Sequence, residues 1–311
     1  MSVKQRFPKR CFGVEVEYYN NSQIKEPSET DLDKYGTAIS NALSTETGLQ
    51  VDYVRKPSKS ISNSWVLTTD ETVRTSVNLA VVDEKVDWGM ELVSPKLAGR
   101  TGLKNVIKVL YSLSNQQNVH MVSSADLHVH IDGSDWLVDD KSEEAKKVFQ
   151  LFIKYEEVLI LLSSGMTRDD TMSVYKKARY LRDERGFDTA KRYHPDDIIS
   201  ALEKAPDNHT MAQIMCNKDR NWCLNLMNWK KDGYKSIEFR SHNGTVDARE
   251  VVYWIALLVI FVEHGMKVVG QINSFDEEVT VREKFISLYN EIPYAGAILR
   301  YYDTKLNITS N

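Results

Sequence analysis

Cysteine is scarce in this chain. Cys11, Cys216 and Cys223 are the only three in 311 residues, and no CxxC pair occurs. That excludes a disulfide framework and the cysteine-rich zinc motifs, and fits reduced, buried thiols in a cytosolic protein. Long apolar runs are lacking as well. The longest covers residues 251–262, well short of the roughly 18–20 residues a membrane span needs, and reads as a buried helix. Residues 1–9 are basic with no apolar stretch behind them, so no secretory signal is expected. Charge of one sign is not in excess. With 40 Lys and Arg against 44 Asp and Glu, the net charge is -4, which argues against a broad basic nucleic-acid surface but leaves room for local patches. The chain has no Walker-type glycine loop, internal repeat, low-complexity tract or linker.

What is present is a repeated device on short strands. Successive side chains of a strand point to opposite faces, so residues two apart share one. In KSIEFRSHNGT at 235–245, Glu238, Arg240 and His242 alternate with Ile237 and Phe239. In FGVEVEY at 12–18, Glu15 and Glu17 oppose Phe12, Val14 and Val16. In LHVHI at 127–131, His128 and His130 oppose Leu127, Val129 and Ile131. In GMELVSP at 89–95, Glu91 stands alone in an apolar run. Each stretch by itself also reads blandly, as a solvated strand face or as half-exposed histidines.

The remaining chain alternates strands with longer helical stretches. Strands are expected at 10–19, 51–54, 65–69, 77–83, 88–93, 124–131, 222–229 and 234–241, the last two joined by a turn at 230–233. Thr30-Asp31 caps a helix that Gly48 stops, and further helices cover 99–114, 142–163, 247–270, 275–290 and 294–303. Residues 166–217 read as charged helical pieces. Gly244 is expected at the positive-φ position of a turn, and Asp247 as a helix cap. The pattern predicts one α+β domain over 1–311: an antiparallel sheet with helices packed on one face, a helical insert at about 142–217 and C-terminal helices from about 247.

If the strands neighbour one another, Glu15, Glu17, Glu91, His128, His130, Glu238 and Arg240 converge on the open face. Clustered carboxylates repel and shift their pKa values upward unless cations neutralise them. Glutamate oxygens with a histidine nitrogen suit Mg²⁺ or Mn²⁺. An arginine two residues from a ligand carboxylate is placed to stabilise charge on a transferring phosphoryl group.

The ordered series ExE, lone Glu, HxH, ExR resembles the carboxylate-amine ligases of the glutamine synthetase and glutamate-cysteine ligase type. Its wording is similar to the amidoligase family in FGVEVEY at 12–18, WVLTTDETV at 65–73, ELVSPKLAG at 91–99, ADLHVHI at 125–131 and IEFRSHNGTVDAREVVYW at 237–254. The resemblance implies a sheet of glutamine synthetase catalytic-domain type and an ATP-dependent ligase with two or more Mg²⁺ (or Mn²⁺) ions. Its substrates would be a carboxylate, such as an amino acid or peptide, and an amine acceptor that a nucleic acid could carry. It further implies metal ligation by Glu15, Glu17, Glu91, His128 and Glu238. Nucleotide contacts would come from Arg240, Arg220 and His130, and catalytic roles from Arg240, Glu15 and Glu238. Glutamine synthetase has two glutamates where this chain offers Glu91, with Asp70 or Glu71 as candidates for the second. The charged segment 168–192 either selects an anionic substrate or is a solvated helix.

Two other classes stay open. One is a metal-dependent hydrolase built on HVHID at 128–132, which leaves Glu15, Glu17 and the EFR strand unexplained. The other is a catalytically inactive binding relative, against which the intact Glu15, Glu17, His128, Glu238 and Arg240 speak.

Overall fold

The computed structural model describes residues 7–20, 28–55, 62–73, 89–122, 124–138, 142–164, 195–216, 223–226 and 235–309. Within them lie nine strands: β1 (Cys11–Asn20), β2 (Val51–Tyr53), β3 (Trp65–Thr69), β4 (Gly89–Val93), β5 (Leu97–Ala98), β6 (Val119–His120), β7 (Asp126–Asp132), β8 (Leu224–Asn225) and β9 (Ser236–Asn243). The helices are α1 (Glu29–Thr47), α2 (Gly99–Ser114), α3 (Ser142–Ser164), α4 (Pro195–Glu203), α5 (Asn208–Cys216), α6 (Ala248–Gly265), α7 (Val281–Glu291) and α8 (Gly296–Leu306). This is a mixed α/β fold with an open, mostly antiparallel sheet. No described helix is long and apolar enough to cross a membrane. The chain forms two compact units, one of Lys9–Val129 with His242–Ile255, the other of His130–Ser241 with Ala256–Asn311 and Met1–Pro8.

In the first unit the strand order is β2-β3-β4-β1-β7. Strand β1 runs antiparallel to β4 with Glu17 opposite Glu91, and its ends pair with β5 and β6. One face of β1 is wholly apolar in its middle: Phe12, Val14, Val16 and Tyr18 are almost fully buried. Helix α2 approaches this strand closely at Gly102, where a Cβ would lie 3.0 Å from the Phe12 ring. Its buried stripe of Val106, Val109, Leu110 and Leu113 has the spacing of one helical face. Helix α1 starts with a capping box, in which Ser28 Oγ accepts from Asp31 N and the Asp31 carboxylate accepts from Ser28 N. It ends at Gly48 with φ of 67°.

In the second unit the order is β7-β9-β8, with Asn225 opposite Glu238 and Leu224 opposite Phe239 on antiparallel strands. Ile237 and Phe239 fill the apolar face of β9, and the Phe239 ring lies 6.0 Å from that of Phe152 on α3. Helix α3 is fixed to α7 by polar bonds as well as packing: Lys154 Nζ is 3.0 Å from Glu291 Oε2, which the Tyr155 hydroxyl also meets.

Several expectations need correction. The sheet is not purely antiparallel, because β2 runs parallel to β3. The first cap is Ser28, with Asp31 serving as the third helical residue of the box. Helix α7 begins at Val281 because Thr280 and Glu283 cap each other, six residues later than periodicity alone places it. Gly244 is not among the positive-φ glycines. Its backbone N–H instead donates to Ala125 O at 2.8 Å, and a Cβ there would lie 2.8 Å from both the Cβ and the carbonyl oxygen of Ala125. Close approach, not turn conformation, is what needs glycine. Asp247 does cap α6, accepting from Arg249 N at 2.8 Å and Glu250 N at 3.3 Å. The expected strand at 77–83, turn at 230–233, segment 168–192 and Arg220 lie outside the described residues.

Candidate active site

In the first unit, strand alternation projects Glu15 and Glu17 from the polar face of β1. Pairing with β4 then sets Glu91 directly across from Glu17, and β3 sets Thr68 across from Glu91. Asp70 follows β3 immediately, held where its N–H donates to Gly89 O at 2.8 Å. Strand β7, on the other flank of β1, supplies His128. Its Nδ1 lies 3.2 Å from Glu15 Oε2 and its Nε2 3.8 Å from Glu17 Oε1.

Two groups of ligand-capable atoms result, each within 4.8 Å of one another: Glu15, Glu91 and His128, and Glu17, Asp70 and Glu91. Glu91 belongs to both. The carboxylates are strained electrostatically. Burial pushes the Glu17 acid up to about 7, against the pull of His128 and a backbone hydrogen bond from Asp126, while Asp70 and Asp126 add repulsion. Burial likewise drives Glu91 well above the usual carboxylate range, reinforced by Glu15, Asp70 and Glu17. Acidic oxygens with one imidazole, crowded and poorly solvated, are the donor set of a hard divalent cation, whose charge would reverse that repulsion. These residues fit such an ion.

Two participants are not singled out, or not decided between, by sequence pattern. Asp126 donates its backbone N–H to Glu17 Oε2 at 2.9 Å, and its Oδ2 lies 3.9 Å from His128 Nε2. The same alternation that marks His128 and His130 puts Asp126 on their face, so the signal lies one step upstream. Of Asp70 and Glu71, it is Asp70 whose carboxylate joins Glu17 and Glu91; Glu71 is exposed.

In the second unit, Glu238 is buried on β9 with both oxygens engaged. Asn225 Nδ2 donates to its Oε2 at 2.6 Å, and the Arg240 guanidinium meets its Oε1. Arg240 is fixed at the backbone as well, its N–H donating to Cys223 O at 2.8 Å. His130 Nδ1 lies 3.4 Å from Ser236 Oγ. His242 falls in the first unit and is nearly fully buried, its Nε2 3.6 Å from Glu250 Oε1 and its ring 5.3 Å from that of Trp254. It packs against the start of α6.

Fold and cluster together define an α/β protein whose sheet carries a carboxylate and histidine centre. The family model described as "Putative amidoligase enzyme" matches residues 8–262, enclosing every motif from 12 to 254, and the chain belongs to this amidoligase family. A solved structure described as a novel glutamine synthase homolog aligns with TM-score 0.45 and 12% identity, over 97% of this chain and 66% of that one. The chain thus spans just under two thirds of that protein's length. No curated protein matches it in sequence.

Proposed function

We propose that this protein is an ATP- and Mg²⁺-dependent carboxylate-amine ligase. A substrate carboxylate oxygen attacks the γ-phosphorus of ATP and ADP leaves. The amine nitrogen then attacks the acyl carbon, phosphate departs, and the ammonium proton passes to base, leaving an amide. The single observation that carries this reading is Glu91 as a shared member of two three-ligand groups, in a chain of the amidoligase family.

In this reading Glu15, Glu17, Glu91 and His128, joined by Asp70, hold divalent ions, and Glu238 is a further ligand. Bound Mg²⁺ or Mn²⁺ would supply charge neutralisation for the phosphate oxygens. Arg240 stabilises the charge of the transferring phosphoryl group, with Arg220 and His130 as further nucleotide contacts. The ordered bonds from Asn225 and Arg240 fix the Glu238 carboxylate plane before any substrate arrives, so no reorganisation is needed at the reactive step. The reading also takes residues 1–311 as one cytoplasmic catalytic domain of glutamine synthetase type, with helices on one face of its sheet and the 142–217 region as an insert.

Equilibrium ATP binding with Mg²⁺ or Mn²⁺ tests it, comparing wild type with a Glu15→Gln/Glu238→Gln double variant. Metal-dependent binding that the variant loses supports the ligase site, and acid and amine pairs can then be screened for ADP and phosphate release. A folded wild type that binds no nucleotide at any metal concentration overturns it.

A further inference from the structure

The chain's acidic residues are unevenly spread. Between Glu91 and Asp126 there is none, although 44 of 311 residues are Asp or Glu. Helix α2 occupies the middle of that gap. Its inner face is buried on β1, and its outer face presents Arg100, Lys104 and Lys108, all exposed and four residues apart. Beside them stand Ile107, 43% exposed, and Tyr111, 68% exposed. Among the described residues no ion pair involves Arg100, Lys104 or Lys108. Glu46 of α1 does touch this helix, but on its buried side, accepting from Ser112 Oγ at 2.5 Å. In a protein of net charge -4, this is a cationic stripe without a paired counter-charge among the described residues.

We propose that the outer face of α2 docks a single-stranded nucleic acid, with Arg100, Lys104 and Lys108 on successive phosphates and Tyr111 stacked on a base. Residues four apart on a helix are about 6 Å apart along the axis, a step comparable to that between phosphates of an extended strand. Exposed aromatic rings beside such cations bind unpaired bases by their faces, whatever the base. Duplex would leave Tyr111 without a ring to stack on. An anionic membrane is the poorer fit, since headgroup recognition takes clusters of about four to eight cations and only two apolar side chains are available here to insert. The surface lies within the first unit and does not depend on the metal cluster or on the ligase reading.

Fluorescence anisotropy with a labelled oligothymidylate of about 12 nucleotides tests the proposal, with chelator present throughout so that the metal cluster plays no part. Wild type is expected to bind at low salt, with log K falling against log salt with a slope of about -2, as three phosphate contacts on a single strand require. An Arg100→Gln/Lys104→Gln/Lys108→Gln variant should lose about tenfold or more and flatten that slope. Tyr111→Ala should weaken binding about fivefold or more, while Tyr111→Phe retains it. These side chains are exposed, so thermal melts should match wild type and exclude misfolding. No binding by wild type, or undiminished binding by the triple variant, overturns the proposal. Equal affinity for duplex that is indifferent to Tyr111→Ala also overturns it, as does preference for phosphatidylserine vesicles or for polyglutamate.

Discussion

Asn225 and Glu238 face each other across β8 and β9, and the Asn225 amide donates to Glu238 Oε2 at 2.6 Å inside the protein. Both side chains are almost wholly buried, so water cannot replace the bond. Asn225→Ala therefore leaves a carboxylate oxygen short of a donor, and the expected cost is about 1–3 kcal/mol in urea unfolding. Asn225→Asp should cost more at neutral pH, because it sets a second carboxylate against the first. Unchanged unfolding midpoints in both variants would show that the pair contributes nothing.

Glu17 predicts a stability slope of unusual sign. Its folded pKa, pushed up to about 7 mainly by burial, exceeds the ordinary value of 4.5. The folded state therefore holds the proton more tightly than the unfolded one. In metal-free protein this contribution is full below about 4.5 and is lost as pH rises through about 7. Glu17→Gln keeps an acceptor for the Asp126 N–H and removes the titration. With chelator at pH 8 the variant should be more stable than wild type, by up to about 3 kcal/mol. The two proteins should converge near pH 4. A variant less stable than wild type at pH 8 would refute the assignment.

Asp70 and Glu71 are adjacent in sequence and unequal in the structure. Mn²⁺ binding measured by calorimetry should weaken about tenfold or more in Asp70→Asn and stay near wild type in Glu71→Gln. Glu91→Gln should lose most, since Glu91 belongs to both ligand groups. Equal effects of the Asp70 and Glu71 changes would contradict the geometry.

Gly244 is held against Ala125 by a 2.8 Å backbone bond, with no room for a side chain. Gly244→Ala should cost about 1–3 kcal/mol. Ala125→Gly in the same chain should rescue part of that loss only, because a carbonyl oxygen stands as close as the methyl group does. Full rescue would place the conflict in the side chain alone.

Much of the candidate site is legible in the sequence because strand alternation is a local property. Period-two patterning alone puts Glu15 with Glu17 and His128 with His130 on shared faces. It also carries Asp126, which the more conspicuous HxH pair overshadows. His242 goes the other way: alternation groups it with Glu238 and Arg240, yet it lies buried against Trp254, where the strand gives way to the start of α6. Periodicity misplaces helix starts wherever a cap is decisive, as at Ser28 and Thr280, because a capping box is a matter of individual hydrogen bonds.

The sequence by itself determined which residues could share a face, which stretches were apolar enough to be covered, and the family to which the chain belongs. All of these follow from neighbours a few positions apart or from the order of short motifs. Only the tertiary structure decided that Glu91 lies across from Glu17, that Asp70 rather than Glu71 joins them, and that Asn225 locks Glu238. Those are matters of register between strands far apart in the chain. Register is set by how whole apolar faces pack together, and no single stretch of residues contains that information.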